Sequence, residues 1–234
     1  MQTPKRFYRA AKAEAAPGGH AIRLDDRLLK SPGGNPFLLP TAALADAIAE
    51  EWQSQGERIV PASMPLMQLA ATAIDRVGPA LAGTIAGIGS YATTDLLCYR
   101  AEAPAALVER QQRLWQPLLD WAALHLDASF SVTAGVVPLD QPPATLAAVH
   151  TALGALDPFR LAALSVLTQA TGSAVLAMAL QGGRIDAETA FELSQLDETF
   201  QIERWGEDAE AMRRRALVKS DIAAADRFLS LLET

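Results

Sequence analysis

Between Arg160 and Arg184 the chain carries no charged residue, and this stretch narrows the folds open to it. A run from Leu161 to Gly183 either crosses a membrane or lies inside a protein, and it is long enough to cross. Ser165, Thr168, Gln169, Thr171, Gly172 and Ser173 are scattered through it. Thr171-Gly172-Ser173 predicts a break between two shorter helices. A pair of buried core helices is therefore the better reading, and the chain is not expected to be an integral membrane protein. Such helices need a partner core. Half of the residues are hydrophobic (50%), with much alanine and few aromatics (6%), which favours closely packed helices over a thick β-sandwich.

Residues 1–40 have a different texture. Arg6 to Ala10 reads as a strand, and Pro17-Gly18-Gly19 as a turn. His20 to Leu24 and Arg27 to Lys30, joined at Asp25-Asp26, read as a hairpin. Phe37-Leu38-Leu39 is a further short strand. A sheet this small needs a helix to cover it. Thr41 is placed to cap one, with Leu44, Ala45, Ile48 and Trp52 on a single face and Gly56 to end it. Leu66 to Val77 follows as another helix, broken at Gly78-Pro79. The fold class is α+β. A small β-rich module over residues 1–80 is expected to precede a mainly helical orthogonal bundle over 81–234.

Helices are predicted almost throughout the second part. One covers Thr84 to Tyr91, where Gly83, Gly87 and Gly89 suggest close helix packing. Thr93-Thr94-Asp95 reads as a cap. Pro104 opens a long helix to about Leu126, with Pro117 inside it. Phe130 to Val137 is expected to be extended or looped. Pro142-Pro143 and Asp157-Pro158 each start a helix, and Asp208 begins the last one.

Composition removes several function classes. A net charge of −7 argues against a nucleic-acid-binding surface. Arg213-Arg214-Arg215, the densest basic run, reads as a solvated helix face beside Glu207, Asp208 and Glu210. Cys98 is the sole cysteine, so there is no disulfide framework. Met1 to Arg9 contains no apolar signal core. His20, His125 and His150 lie far apart without ligand spacing, so no metal is expected. Gly83 to Ser90 has the glycines of a phosphate cradle but no lysine, so no nucleotide cofactor is expected either. Cys98 sits in an apolar run, where cysteine is usually a small core residue. Asp197 and Glu203 could form an acid–base pair, but nothing in the sequence builds a pocket around them. The residues favour a binding protein over an enzyme. Another interaction module, or an enzyme with a pocket in the helical bundle, remains the alternative.

The stretch from Leu196 to Gly206 carries the sharpest signal. It reads as the second half of a helix starting at Asp186. At about 100° per residue, Phe191, Glu198, Ile202 and Trp205 share one side. A carboxylate in an apolar stripe is either paired internally, for example with an arginine, or faces another protein.

Several motifs carry a resemblance. They are Lys5-Arg6-Phe7-Tyr8, Leu39-Pro40-Thr41, Met64-Pro65-Leu66, Thr72-Ala73-Ile74-Asp75 and Thr94-Asp95-Leu96-Leu97-Cys98-Tyr99-Arg100. Trp115-Gln116-Pro117-Leu118-Leu119-Asp120-Trp121, Thr171-Gly172-Ser173 and Leu196 to Gly206 continue the series. In this order they make the chain resemble the assembly chaperone family for the α subunit of the catalytic sector of F-type ATP synthase, which has mitochondrial and bacterial members. Met67 departs from the threonine expected there. The resemblance implies a non-catalytic protein without cofactor that holds the unassembled α subunit until the hexamer forms. It implies a bacterial cytoplasmic location, or the mitochondrial matrix in a eukaryote. It matches the family's important acids to Glu198 and Glu203, with Asp197, Trp205 and Asp208 as neighbours on the same partner-binding surface.

Overall fold

A computed structural model describes residues 4–135 and 138–233. The fold is of the expected α+β class, with a small sheet near the N-terminus and helices over most of the rest. Contacts divide the chain into two compact units. The first comprises Met1–Leu81, Asp157–Ala163 and Arg227–Thr234; the second comprises Ala82–Leu156 and Leu164–Asp226. A single cut at residue 80 does not describe that division, because the first unit also takes two later segments.

The first unit is built on strands β1 (Ala11–Ala16), β2 (Gly19–Leu24), β3 (Arg27–Leu28) and β4 (Leu38–Leu39). β2 is central. It pairs antiparallel with β1 from Ala11↔Leu24 to Ala16↔Gly19, and also with β3 and β4. The first strand thus lies at Ala11–Ala16 and not at Arg6 to Ala10. Its sequence, Ala-Lys-Ala-Glu-Ala-Ala, has little intrinsic strand preference, and pairing with β2 imposes the conformation. Gly19, at φ 153°, closes this hairpin where a Cβ would lie 2.5 Å from the Leu39 carbonyl oxygen. Helix α1 (Ala42–Gln53) covers the sheet. The Thr41 hydroxyl caps it by accepting the Leu44 N–H, and it ends at Ser54, short of Gly56. Ile22, Leu24, Phe37, Leu39, Leu44 and Ile48 form the core here. Helix α2 (Pro65–Thr72) runs on through a π turn at Ala73–Val77 and a 3-10 turn at Gly78–Ala80 into α3 (Leu81–Ser90). Gly78-Pro79 therefore changes the helix type without stopping the helical course of the chain. Asp75 holds the 31–35 loop by accepting from the Ser31 hydroxyl, the Gly33 N–H and the Asn35 amide.

The second unit contains α4 (Ala105–His125), α5 (Pro143–Gly154), most of α6 (Pro158–Thr171), α7 (Ala174–Gln181), α8 (Ala187–Ser194), α9 (Leu196–Trp205) and most of α10 (Ala209–Ser230). A two-stranded parallel ribbon joins β5 (Tyr99–Arg100) to β6 (Thr133–Ala134). Of the Phe130 to Val137 segment, Val136 and Val137 lie outside the described residues. The uncharged stretch is two helices, α6 and α7, as the sequence predicts. Gly172, at φ 70°, turns the chain between them, and the Ser173 hydroxyl caps α7 by accepting the Leu176 N–H. Every residue from Ala174 to Leu180 is buried. No helix among the described residues is long and apolar enough to cross a membrane.

One buried carboxylate organises this unit. Asp95 is wholly buried and accepts from the Ser173 hydroxyl (2.7 Å), the Val175 N–H (3.1 Å) and the Leu97 N–H (3.1 Å). It thereby caps the 3-10 turn Leu96–Cys98 and the N-terminus of α7 together, where a helix leaves donors unpaired. Burial raises its pKa to about 6, against the opposing pull of those donors. Beside it, Trp115 of α4 is 0% exposed and donates its indole N–H to the Leu193 carbonyl at the end of α8. The Arg100 guanidinium, also buried, lies 5.4 Å from the Trp115 ring and donates Nε–H to the Leu97 carbonyl.

Candidate partner-binding site

The predicted helix from Asp186 to Gly206 is two helices. Asp186 caps α8 by accepting the Thr189 N–H, and Gly206, at φ 87°, ends α9, as expected. Between them the chain turns at Ser194-Gln195. The Leu193 carbonyl faces the Trp115 indole, and the Ser194 hydroxyl donates to the Phe191 carbonyl. Phe191 therefore belongs to a different helix from Glu198, and the single stripe read from the sequence is divided.

The acids of α9 face two neighbours. On the α4 side, Asp197 accepts from the Gln111 amide at 2.7 Å, and Glu203 takes a two-pronged pair of 2.9 Å hydrogen bonds from Arg110. Burial raises the Asp197 pKa, with the Gln111 hydrogen bond opposing it. The Arg110 hydrogen bond lowers that of Glu203. Arg110 and Arg204 also lie over the ring of buried Phe200, at 5.3 and 4.5 Å. On the α10 side, Glu198 accepts from Arg214 at 3.0 Å and lies 3.8 Å from Arg215.

Glu198 thus has internal cationic partners and a side chain only 23% exposed. Arg213-Arg214-Arg215 is consequently not one solvated face. The Arg215 side chain is mostly covered; it donates to the Thr199 hydroxyl and lies over the Phe191 ring. Asp208 is exposed and caps α10, accepting the Glu210 and Ala211 N–H groups. Trp205 is the outlier, a large apolar side chain 76% exposed in the last turn of α9. The structure therefore brings Asp197 and Glu203 to one side of α9 and Glu198 to another, with Trp205 open to solvent at its end.

Asp197 and Glu203 are each occupied by their own donor. Cys98 is buried, and desolvation pushes its thiol pKa up to about 12, so it carries no thiolate at neutral pH. No group of metal-ligating side chains occurs among the described residues.

A model of the ATP12 chaperone protein family matches residues 5–123. The chain belongs to the ATP12 chaperone family. The family named from the sequence motifs is therefore the one this match shows. A curated relative, mitochondrial protein atp12 of Schizosaccharomyces pombe, is 28% identical over 220 residues, covering 88% of this chain and 75% of that protein. The crystal structure of Atp12 from Paracoccus denitrificans has a TM-score of 0.94 at 45% identity and covers 98% of each chain. A mutant of the same bacterial Atp12p, with one aspartate replaced by lysine, matches with the same values. A protein from Agrobacterium tumefaciens named as a candidate chaperone has a TM-score of 0.93 at 42% identity, covering 98% of this chain and 86% of that one. The family match ends within α4, before α9. The likeness to the solved ATP12 structures extends over nearly the whole chain.

Proposed function

We propose that this chain is an assembly chaperone that binds the unassembled α subunit of F-type ATP synthase. It shields the inter-subunit surface of α until the catalytic hexamer forms, and it works without ATP. The observation carrying this reading is membership of the ATP12 chaperone family, which agrees with the sequence motifs. The physical need is plain: a ring subunit made alone exposes apolar interface and aggregates. Cover of modest affinity, displaced by the true neighbour, meets that need without nucleotide hydrolysis. The relatives come from mitochondria and bacteria, which supports action in the bacterial cytoplasm or the matrix.

The contact residues in this reading are Glu198, Glu203, Asp197, Trp205 and Asp208. Trp205 is the anchor, since exposed tryptophan is the residue type most enriched among binding hot spots. The acids act through the arginine and glutamine partners that position them. In the test, isolated α subunit is diluted from denaturant with and without the purified chain, and light scattering is followed without nucleotide. The chain is expected to suppress scattering near stoichiometric ratio; unchanged scattering at excess would overturn the reading. Glu198→Gln is expected to weaken this protection while lowering stability by less than about 1 kcal/mol, because Arg214 is exposed and screened. Loss of cooperative unfolding in that variant would instead make Glu198 a purely structural ion-pair residue.

A further inference from the structure

Strand β1 lies at the edge of its sheet. Its only strand neighbour among the described residues is β2, whose other side is taken by β3 and β4. The Asp25 N–H donates to the Ala10 carbonyl at 2.9 Å, which makes Ala10 and Asp25 a hydrogen-bonded pair. Such pairs alternate along an antiparallel ladder. Lys12, Glu14 and Ala16 therefore turn their main-chain groups toward β2, and Ala11, Ala13 and Ala15 turn theirs outward. The Gln53 side chain accepts the outward N–H of Ala11 at 2.8 Å. The N–H and carbonyl groups of Ala13 and Ala15 have no hydrogen-bond partner among the described residues. Proteins usually blunt such an edge with a bulge, a proline or a covering element. β1 has no bulge and no proline, and it pairs with β2 residue for residue over its whole length.

A groove of about 480 Å³ follows this edge, between β1 and α1. Ala11 and Ala13 line one side, and Asp46, Ala49 and Glu50 the other. Ala11 and Ala13 stand opposite Leu24 and Ile22, which are buried, so these alanines lie on the core side of the sheet. Lys12 also borders the groove, but its side chain belongs to the opposite face, as does that of Glu14, which Arg23 holds. Asp46 and Glu50 are exposed, stand one turn apart on α1, and form no ion pair among the described residues. Like charges at this spacing weaken a helix. The groove thus joins an open row of main-chain donors and acceptors to two acids without a cation.

We propose that an extended segment of the client subunit adds to β1 as a further strand, with a lysine or arginine side chain lying against Asp46 and Glu50. This rests on the chaperone reading and gives it a second docking surface, in a different unit of the chain from α9. Each part of the occupant has its own source. Extended backbone matches the donors and acceptors of Ala13 and Ala15, which recur every second residue. The small alanine side chains leave the groove open to a long one, and the unpaired acids select a cation. A second copy of this chain meets only the first requirement. Pairing two β1 edges sets alanine opposite alanine on the α1 side and brings no cation to Asp46 and Glu50. Two copies carrying −7 each would also repel.

The test uses the full chain and the isolated α subunit, with affinity measured by calorimetry and folding by thermal melts. Ala13→Pro removes an outward donor and sets a ring in the path of an incoming strand, while sparing every bond to β2. It is expected to lower affinity about tenfold or more, with Tm within a few degrees of wild type. If Ala13→Pro fails to fold, Ala15→Pro, at an exposed position of the same edge, gives the same readout. Joint Asp46→Asn and Glu50→Gln replacement is expected to lower affinity several-fold and to hold or raise Tm, since it removes a like-charge pair from α1. Asp140→Asn, at an exposed acid of neither proposed surface, is expected to keep wild-type affinity. A folded proline variant with wild-type affinity overturns the proposal, and so does a neutralised acid pair that binds α unchanged. A wild-type dimer in sedimentation that Ala13→Pro abolishes also overturns it, since the edge would then serve a second copy. Failure of the wild-type chain itself to bind α would instead remove the chaperone reading on which the proposal rests.

Discussion

Asp95→Ala is expected to lower unfolding free energy by about 2–4 kcal/mol at neutral pH, measured by urea titration. The deletion strands the Val175 and Leu97 N–H groups and the Ser173 hydroxyl in a fully buried site. It also uncaps two elements at once, the turn before β5 and the first turn of α7. The same residue sets a pH dependence of unusual sign. Its folded pKa, about 6, lies above the ordinary value of 3.8. Below about pH 4 both folded and unfolded forms hold the proton. As pH rises through the window from 3.8 to about 6, the unfolded chain releases it first, and stability falls. Above about 6 both forms are ionised and the loss is complete, at roughly 3 kcal/mol. Other carboxylates, among them Asp75 and Glu203, are held below their usual range and work in the opposite direction at lower pH. Comparison with Asp95→Asn isolates the effect. The stability advantage of wild type over that variant should shrink as pH rises from 4 to 6. A gap that does not change with pH would mean that Asp95 is ionised throughout that range.

Trp115→Ala should cost about 3–5 kcal/mol, the usual range for emptying a buried tryptophan site. The indole fills the centre of a core made by Leu97, Leu118, Leu119, Val175, Leu176, Leu193 and Leu196. Its N–H satisfies the Leu193 carbonyl where α8 ends, and its ring carries the buried Arg100 guanidinium. Trp115→Phe separates these roles. It keeps most of the apolar volume but drops the hydrogen bond, and should cost less than the alanine change. Because that bond fixes the α8–α9 turn, the phenylalanine variant should also loosen α9, seen as faster amide exchange from Leu196 to Trp205. Unchanged exchange there would show that packing alone holds the turn.

That turn marks the limit of what the sequence could convey. Helix ends made by local chemistry were legible: Thr41, Asp186 and Asp208 start their helices where expected, and Ser173, read only as part of a break, caps α7. The break at Ser194-Gln195 contains neither glycine nor proline, and the Leu193 carbonyl beside it is held by Trp115, distant in sequence. Strand β1 was hidden for a related reason, since an alanine-rich segment becomes a strand only through its pairing with β2. Asp95 was readable as a cap, but its burial depends on Ser173 and Val175 arriving from elsewhere. In the candidate site, the acid in an apolar setting was legible as a choice between two roles for Glu198. The geometry supplies the arginines. It also turns Glu198 toward α10 and Asp197 and Glu203 toward α4, and which helices flank α9 is not written in its own periodicity.

The pairing of Glu198 with Arg214 and Arg215 bears on how charge-reversal variants are to be interpreted. A lysine at this position would not merely remove an acid from a contact surface. It would set three cations against one another on facing turns of α9 and α10, and like charges at such spacing push apart. Arg215, being mostly covered, has little water to screen it. Loss of activity in such a variant would therefore report displacement of α10 as readily as loss of a partner contact. The isosteric amide keeps the shape and avoids the repulsion, so only the neutral change separates recognition from architecture.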